Sequence, residues 1–268
     1  MDENIHINNL DSKGYTVIKS LMDISILESL LGHIKTGTLN TGDAVNVPRL
    51  NRGSDIIYNP FFYDLRFFKL FRVQEIDEIL QHFLNDSYYK GLESLPNYIL
   101  RSMICRSSKD KLPWHIDSFV PFRGNYPTTF QVVIPLEEFR TDTGPTLLVP
   151  ASHQIGEYAR QDLTKIDGVV ELAAQVGDVI IWDARIWHAA KANESDSTRW
   201  AVISTFTRWW IKQNYRYPEV AIKRHGVNSY SDADLIVLGA ASETPSSHME
   251  SVDLKGGIER IEKLRKNS

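Results

Sequence analysis

Cysteine is nearly missing from this sequence, which has only Cys105 among its 268 residues. A single thiol cannot form a disulfide within the chain, and it excludes a zinc site built from cysteines. A reducing compartment is the natural environment for such a protein. Residues 1–15 are polar and acidic, which is not the pattern of a secretory signal. We therefore expect a cytoplasmic protein.

Long apolar runs and an excess of positive charge are missing as well. No run approaches the ~18 apolar residues that a membrane helix requires. The formal net charge is −4 and the lysines and arginines are scattered, so no global positive field favours nucleic acid or an anionic membrane. We expect a small-molecule substrate, with neither nucleic acid nor membrane as a partner. Nothing in the sequence indicates an oligomeric state.

What the sequence does contain is typical of a globular protein, with 42% hydrophobic and 24% charged residues. Without a repeat or a clear linker, the length predicts a single domain over residues 1–268. Asp23 is placed to cap a helix whose apolar residues recur at helical spacing, and a second amphipathic helix is predicted over 76–84. The aromatic stretch 58–71 is predicted to pack in the core, or alternatively to form part of a substrate pocket wall. A last helix is predicted over 258–266.

From about residue 97 onward, the sequence consists of short runs rich in residues that favour β-strands. Turn signals separate these runs, and many short strands at close spacing favour a sandwich or barrel over a parallel α/β sheet. The predicted strands are Asn97–Ser107, Thr128–Leu136, Pro145–Val149, Val179–Trp182 and Trp200–Arg208. The order of elements predicts an α+β fold with a mainly β core over approximately 97–210 and helices packed outside it.

The first chemical signal is the sequence Trp114-His115-Ile116-Asp117. Alternate side chains of a strand share a face, so His115 and Asp117 would project together as two neighbouring metal ligands. Alone, such a triplet is equally compatible with an ordinary surface or core pair.

A third ligand is available at His188, which follows the apolar strand 179–182. Its alternative interpretation is a hydrogen-bonded core histidine. Two imidazoles and one carboxylate leave three coordination positions open, which is the arrangement used by non-haem Fe(II) oxygenases.

Arg199 follows His188 by eleven residues. A hairpin through 191–195 would bring it beside the strand of His188, where its guanidinium could bind the distal carboxylate of a keto-diacid that chelates iron. A surface arginine is the alternative. Two other classes remain open: a non-catalytic cupin-like protein that binds metal or ligand, and a metal-dependent hydrolase. Neither needs a keto-diacid clamp, so Arg199 argues against both.

Taken together, these residues resemble the phytanoyl-CoA dioxygenase family of 2-oxoglutarate oxygenases over roughly residues 10–210. The resemblance rests on His115-Ile116-Asp117, the run from Gly144 to His153, Gly177-Asp178, His188, Asn193 and Arg199, with 11–18 similar to the family's first strand. It implies a double-stranded β-helix, also called a jelly roll, of the cupin-like kind. It also implies Fe(II), 2-oxoglutarate and O₂ as cofactor and cosubstrates.

The same resemblance assigns roles to individual residues. It implies that His115, Asp117 and His188 are the catalytic iron ligands and that Arg199 binds 2-oxoglutarate. Two further positions match family residues near the cosubstrate, and they are Gln131 and Met103. The expected activity is hydroxylation of a C–H bond in a small metabolite or natural-product intermediate, with succinate and CO₂ as coproducts. Because Asp117 fills the position where related halogenases have a small residue, halogenation is not favoured.

Two positions differ from the family pattern, and one histidine of the matching run remains outside the ligand set. Ala151 stands where the family commonly has glycine, and Val133 replaces a tryptophan of the family's namesake. His153 is interpreted as a structural residue rather than a fourth ligand, because the triad is already complete.

The segment 118–127 starts beside the predicted metal pair and contains aromatic residues, prolines and a glycine. We predict that it forms a wall or lid of the substrate site, because such a loop begins at the open mouth of the barrel. Phe119 and Phe122 would give apolar contacts and Arg123 would pair with an acidic group. Alternatively, the two phenylalanines anchor the loop to the core.

Overall fold

The computed structural model describes residues 3–37, 54–86, 95–162, 167–244 and 254–266. The helices are α1 Glu3–Lys13, α2 Ile24–Thr36, α3 Arg66–Lys69, α4 Gln74–Leu84, α5 Tyr217–His225, α6 Asp232–Val237 and α7 Leu254–Lys266. The strands are β1 Tyr15–Ile18, β2 Ser54–Tyr58, β3 Tyr98–Ser108, β4 Leu112–His115, β5 Thr129–Pro135, β6 Thr146–Leu148, β7 Val170–Leu172, β8 Val179–Asp183, β9 His188–Ala190 and β10 Ala201–Arg208.

These strands form two antiparallel sheets. The major sheet has the order β1-β8-β5-β10-β3-β2, and the minor sheet has the order β4-β9-β6-β7. Apolar side chains from both sheets, among them Val133, Leu148 and Ile180, pack together in the space between them. The predicted double-stranded β-helix is thereby confirmed.

The largest part of the core lies on the other face of the major sheet. Along β5, the side chains of Phe130, Val132 and Ile134 pack against the helices, whereas Gln131 and Val133 point between the sheets. This alternation follows from the two-residue period of a strand. A strand buried on both faces reads as a continuous apolar run, which is why β5 was recognisable in the sequence.

The helices that cover this face form where the apolar spacing predicted them. Asp23 accepts a hydrogen bond from the backbone N–H of Ser25 at 2.8 Å and caps α2, which ends at Gly37 in the left-handed conformation. The aromatic stretch between α2 and α4 is core rather than pocket wall, because its rings are fully buried against the helices; they are Phe61, Phe67, Phe68 and Phe71. Within the described residues, no helix combines the length and apolar character that crossing a bilayer requires.

Two sequence predictions about elements need correction, and one helix was not assigned from the sequence. Residues 3–13 form helix α1, which their polar composition did not suggest, and α7 begins at Leu254 rather than at residue 258. The predicted hairpin after His188 is wrong, because β9 belongs to the minor sheet and β10 to the major sheet. The chain between them crosses from one sheet to the other, so Arg199 does not lie beside the strand of His188.

Candidate active site

A cavity of about 430 Å³ lies between the two sheets. The minor sheet contributes His115 and His188 to its wall, and the major sheet contributes polar residues of β3, β5 and β10. These polar residues are Arg101, Ser102, Arg106, Gln131 and Thr205. The cavity therefore combines a possible metal centre on one side with hydrogen-bonding and cationic groups on the other.

The three candidate metal ligands converge at this cavity. His115 ends β4 and is the register partner of His188, which begins β9, so that their ring centroids are 4.0 Å apart. The Asp117 carboxylate lies 3.7 Å from His115 Nε2 and 3.3 Å from His188 Nε2. One ligand atom from each residue lies within 4.8 Å of the other two. Donors at such separations can bind one ion.

Asp117 reaches this position by a route that strand alternation does not describe. Strand β4 ends at His115, and the backbone N–H groups of Asp117 and Ser118 both donate to the Ala184 carbonyl, at 2.7 and 3.0 Å. The turn after the strand is thus fixed to the segment that leads into β9. This anchor places the carboxylate between the two imidazoles.

Backbone carbonyls orient both imidazole rings. His115 Nδ1 lies 2.8 Å from the Pro113 carbonyl oxygen, and His188 Nδ1 lies 3.1 Å from that of Ile186. A carbonyl only accepts, so each Nδ1 carries a proton, and each Nε2 faces Asp117 and would be the atom that ligates a metal once it is unprotonated. Two neutral Nε2 donors and one carboxylate fit Fe(II) with open positions.

Electrostatics keep the carboxylate charged. Burial alone would raise the pKa of Asp117. The imidazoles of His188 and His115 and the amide of Gln131 outweigh this effect and lower the pKa to about 2. Burial and then His188 lower the pKa of His115, which favours its neutral form. Burial also opposes the charged form of His188, but Asp117 outweighs it and raises that pKa. The carboxylate is therefore available as a ligand at neutral pH.

A chain of hydrogen bonds joins Asp117 to the major sheet. Gln131 Nε2 donates to Asp117 Oδ2 at 3.0 Å, Thr205 Oγ1 donates to Gln131 Oε1 at 2.9 Å, and Ser102 Oγ donates to Thr205 Oγ1 at 2.9 Å. The amide of Gln131 is fixed by this chain, because its oxygen accepts from Thr205 and its nitrogen must therefore face Asp117. Gln131 thus contacts a candidate ligand and also lines the cavity.

Arg199 enters the cavity from the major sheet. Its backbone N–H donates to Ser107 Oγ at 3.0 Å, and its guanidinium stacks on the Phe139 ring at 4.9 Å. Among the described residues, its Nε is buried without a hydrogen-bond partner. Burial and the nearby charge of Arg106 lower the pKa of Arg199 to about 10. Two like charges in one cavity wall favour an anionic ligand.

Arg106 and Arg101 were missed by the sequence reasoning. Both lie on β3 and line the cavity. The sequence did contain a signal for them. Arg101 and Arg106 are charged residues within a predicted strand that is otherwise largely apolar, and buried charges are unusual unless they line a polar cavity.

The structure contradicts the predicted position of Met103, which does not line the cavity. It is fully buried on the opposite face of β3, in the core between the major sheet and the helices. Strand alternation gives the cavity face to Ser102 and Ile104, and so turns Met103 away. The predicted contact of Met103 with the cosubstrate is therefore wrong.

The loop 118–127 contributes less to the cavity than predicted. Phe119 lines it at the mouth, is 70% exposed and has a φ of 33°. Phe122 instead lies under the Arg185 guanidinium at 4.5 Å, and Arg123 Nε donates to the Ile155 carbonyl at 2.9 Å. Neither Phe122 nor Arg123 is among the residues that line this cavity, and both hold the loop to neighbouring segments, which favours the alternative that this part of the loop is an anchor.

Two residues of the Gly144–His153 run have structural positions. Ala151 has a φ of 63°, the left-handed conformation that explains why glycine suits this place. His153 is buried, and its ring lies so close to Gly14 that a Cβ there would be 2.5 Å from Nδ1. Among the described residues, the group that could hold a metal does not include His153.

Comparison with known families identifies the relationship. The profile described as "Phytanoyl-CoA dioxygenase (PhyH)" matches residues 10–201. The chain belongs to the phytanoyl-CoA dioxygenase family. The predicted resemblance is thus confirmed, and membership makes the chain a non-haem iron, 2-oxoglutarate-dependent enzyme in general kind. Uncharacterised proteins of Mycobacterium tuberculosis and Mycobacterium bovis are each 27% identical to it over 213 residues, which cover 78% of this chain and 76% of theirs.

Solved structures share the fold of this family member at low sequence identity. The epimerase SnoN, crystallised with Fe³⁺, α-ketoglutarate and nogalamycin RO, has a TM-score of 0.59 and 14% identity, covering 77% of this chain and 83% of SnoN. HygX from Streptomyces hygroscopicus, crystallised with nickel and 2-oxoglutarate, has a TM-score of 0.60 and 12% identity, covering 78% of this chain and 88% of HygX. At these identities the similarity concerns the fold.

Proposed function

We propose that this protein is an Fe(II)- and 2-oxoglutarate-dependent oxygenase that hydroxylates a C–H bond of a small molecule, in one domain spanning residues 1–268. One observation carries the proposal: two imidazole Nε2 atoms and a carboxylate converge in a cavity whose opposite wall holds the buried guanidinium of Arg199. A metal site alone would suit many activities. The added cationic group is what a keto-diacid requires.

In this proposal, His115, Asp117 and His188 hold the iron. Bound iron supplies the redox chemistry by which O₂ converts 2-oxoglutarate to succinate and CO₂ and oxidises the substrate C–H bond. The carbonyls of Pro113 and Ile186 keep both imidazoles in the ligating tautomer. Gln131 fixes one oxygen of Asp117, which limits rotation of the carboxylate.

Arg199 binds the distal carboxylate of 2-oxoglutarate. Its charge is buried and lacks a counter-ion among the described residues, so an incoming carboxylate would relieve a cost that already exists in the folded protein. Arg106 lies close enough to lower the pKa of Arg199 and adds to the attraction. Apolar neighbours such as Val133 and Phe139 exclude water from this end of the cavity.

Phe119 covers the substrate at the mouth of the cavity. Its left-handed backbone and exposed ring are unfavourable for a free loop, and such strain is frequent where a loop contacts ligands. The similar fold of SnoN supports a natural-product intermediate as one substrate class. Hydroxylation is proposed over epimerisation as the ordinary outcome of the iron chemistry implied by the family.

Two measurements test this function. Protein supplied with Fe(II), ascorbate and 2-oxoglutarate should release succinate, and the His188→Ala variant should not. A mass-spectrometric metabolite screen under ¹⁸O₂ should then find a product that gains one labelled oxygen. Absence of succinate from the unmodified protein would exclude the oxygenase class, whereas succinate formed with a product of unchanged mass would replace hydroxylation by epimerisation.

A further inference from the structure

The long strand β3 contains a β-bulge that bears on the cavity. Thr205 of β10 pairs with Ser102, whereas the next residue, Phe206, pairs with Leu100. Arg101 is therefore the extra residue, without a register partner on β10. A bulge beside an active site commonly redirects a side chain.

The redirected side chain is that of Arg101. With regular alternation, a strand that turns Ser102 and Arg106 to the cavity would also turn residue 100 there, and would send residue 101 into the core beside Met103. The bulge exchanges the two orientations: Leu100 is fully buried in the core, and Arg101 lines the cavity. One inserted residue thus adds a guanidinium to the cavity wall.

The segment after β10 stabilises the bulge. Asn214 donates its backbone N–H to the Arg101 carbonyl at 3.1 Å, and Gln213 Nε2 donates to the carbonyls of Leu100 and Leu238. A Cβ at Gly239 would lie 2.3 Å from Gln213 Oε1, so glycine leaves room for this amide. The carbonyl groups at the bulge are therefore satisfied, and the position of Arg101 is fixed by several partners.

The Arg101 guanidinium itself lacks an anionic partner in the described part of the chain. Its Nε is buried without a hydrogen bond, and the guanidinium lies over the Phe119 ring at 4.2 Å. The negative charge of Asp117 attracts the Arg101 guanidinium, but the Asp117 carboxylate already contacts both imidazoles and Gln131. A fixed, half-buried cation with open donors is suited to an oxyanion from outside.

Arg101 and Arg199 are held at opposite ends of strand β3. Arg199 is attached to Ser107, at the far end of β3 beside Arg106. Arg101 precedes Arg106 by five residues, which corresponds to roughly 15 Å along a strand. The backbone positions of the two arginines are therefore far enough apart for each guanidinium group to contact a different anion.

We propose that Arg101 binds an oxyanion of the substrate to be oxidised, a carboxylate or a phosphate, at the cavity mouth under the ring of Phe119. The inference rests on the proposed function, since it takes the metal to be held by His115, Asp117 and His188 and 2-oxoglutarate to extend from the metal to Arg199. It narrows the substrate class to anionic molecules whose reacting carbon lies between the oxyanion and the metal site. The planar fork of arginine suits either oxyanion.

Calorimetric titration of the protein loaded anaerobically with Fe(II) and 2-oxoglutarate tests the inference. The probes are hexanoate, hexyl phosphate and the neutral hexanamide, and the metal-to-ligand absorption band reports whether 2-oxoglutarate stays bound. At least one anion should bind roughly tenfold or more tightly than the amide. Arg101→Gln should abolish that preference without changing the affinity for 2-oxoglutarate. Arg101→Lys, which keeps the charge but not the fork, should retain part of it.

The matched control is Lys212→Gln, which removes an exposed positive charge near Asn214 and should leave the anion preference unchanged. The inference is overturned if neither anion binds better than hexanamide, or if Arg101→Gln keeps the preference. It is also overturned if Arg101→Gln weakens 2-oxoglutarate as strongly as loss of Arg199 does. Failure of the unmodified protein to bind Fe(II) or 2-oxoglutarate would instead count against the proposed function.

Discussion

Replacement of Arg199 by methionine is expected to change two measured quantities in opposite directions. The free energy of unfolding of the ligand-free protein should rise, while the affinity for 2-oxoglutarate should fall. Both follow from the same fact, namely a buried guanidinium beside a second arginine with no counter-ion in the described residues. Stability and binding thus compete at this position.

The stability effect can be estimated from the pKa. A cation whose pKa is lower in the folded than in the unfolded state opposes folding at every pH below the folded value. Lowering the pKa of Arg199 to about 10 corresponds to about 3 kcal/mol of destabilisation at neutral pH. Loss of the Phe139 stack and partial solvent screening reduce the gain, so we expect an increase of about 1–2 kcal/mol. The difference should shrink as the pH rises above about 10.

The binding effect has the opposite sign. Loss of a charge-assisted contact costs about 1.5–3 kcal/mol, so the dissociation constant for 2-oxoglutarate should rise roughly tenfold to a hundredfold. Urea unfolding of the metal-free protein measures the first quantity, and anaerobic titration of the absorption band measures the second. Arg216→Met removes a surface arginine and should move neither by more than about 0.5 kcal/mol. A destabilised Arg199→Met with unchanged 2-oxoglutarate affinity would refute the reasoning.

Four further outcomes are expected. His188→Ala should lose most bound Fe(II), as measured by metal analysis, because two ligands remain; full occupancy would contradict the assignment. Gln131→Leu should weaken Fe(II) binding about tenfold to a hundredfold in a competitive chelator titration, because leucine cannot donate the hydrogen bond by which Gln131 orients the Asp117 carboxylate. Phe119→Ala should leave the melting temperature unchanged but uncouple succinate release from product formation, whereas Phe122→Ala should lower the melting temperature and leave coupling intact. Ala151→Gly should raise the unfolding free energy by up to about 1 kcal/mol, because it relieves a left-handed backbone; a loss of stability in urea would show that the alanine methyl group packs usefully.

The three side chains that converge as candidate metal ligands could be picked out from the sequence because residue type and order were sufficient. His115, Asp117 and His188 needed only to follow strands that a jelly roll brings together. The turn that anchors Asp117 to Ala184 was not visible, since a backbone hydrogen bond to a distant carbonyl leaves no mark in residue types. The ligands were therefore recognisable without the geometry that aligns them.

The face of each residue on β3 could not be predicted in the same way. The two-residue period says that Ser102 and Met103 face opposite sides, but not which side is the cavity. The bulge at Arg101 then shifts the period within the strand. The position of Arg199 was missed for a different reason. Strand β9 has only three residues, and in so short a segment the sequence does not distinguish a hairpin from a crossing to the other sheet.

The crossing of the chain between His188 and Arg199 has a consequence for cosubstrate choice. The imidazole belongs to the minor sheet and the guanidinium enters from the major sheet. In the proposed function, the side chains packed between the sheets would therefore set the distance that a keto-diacid must span from the metal to Arg199. The packing between the sheets would thus select the cosubstrate by its chain length. A diacid one methylene longer, such as 2-oxoadipate, should be discriminated against by about 1–3 kcal/mol. Exchanging Val133 for alanine, without touching either binding group, should relax that discrimination.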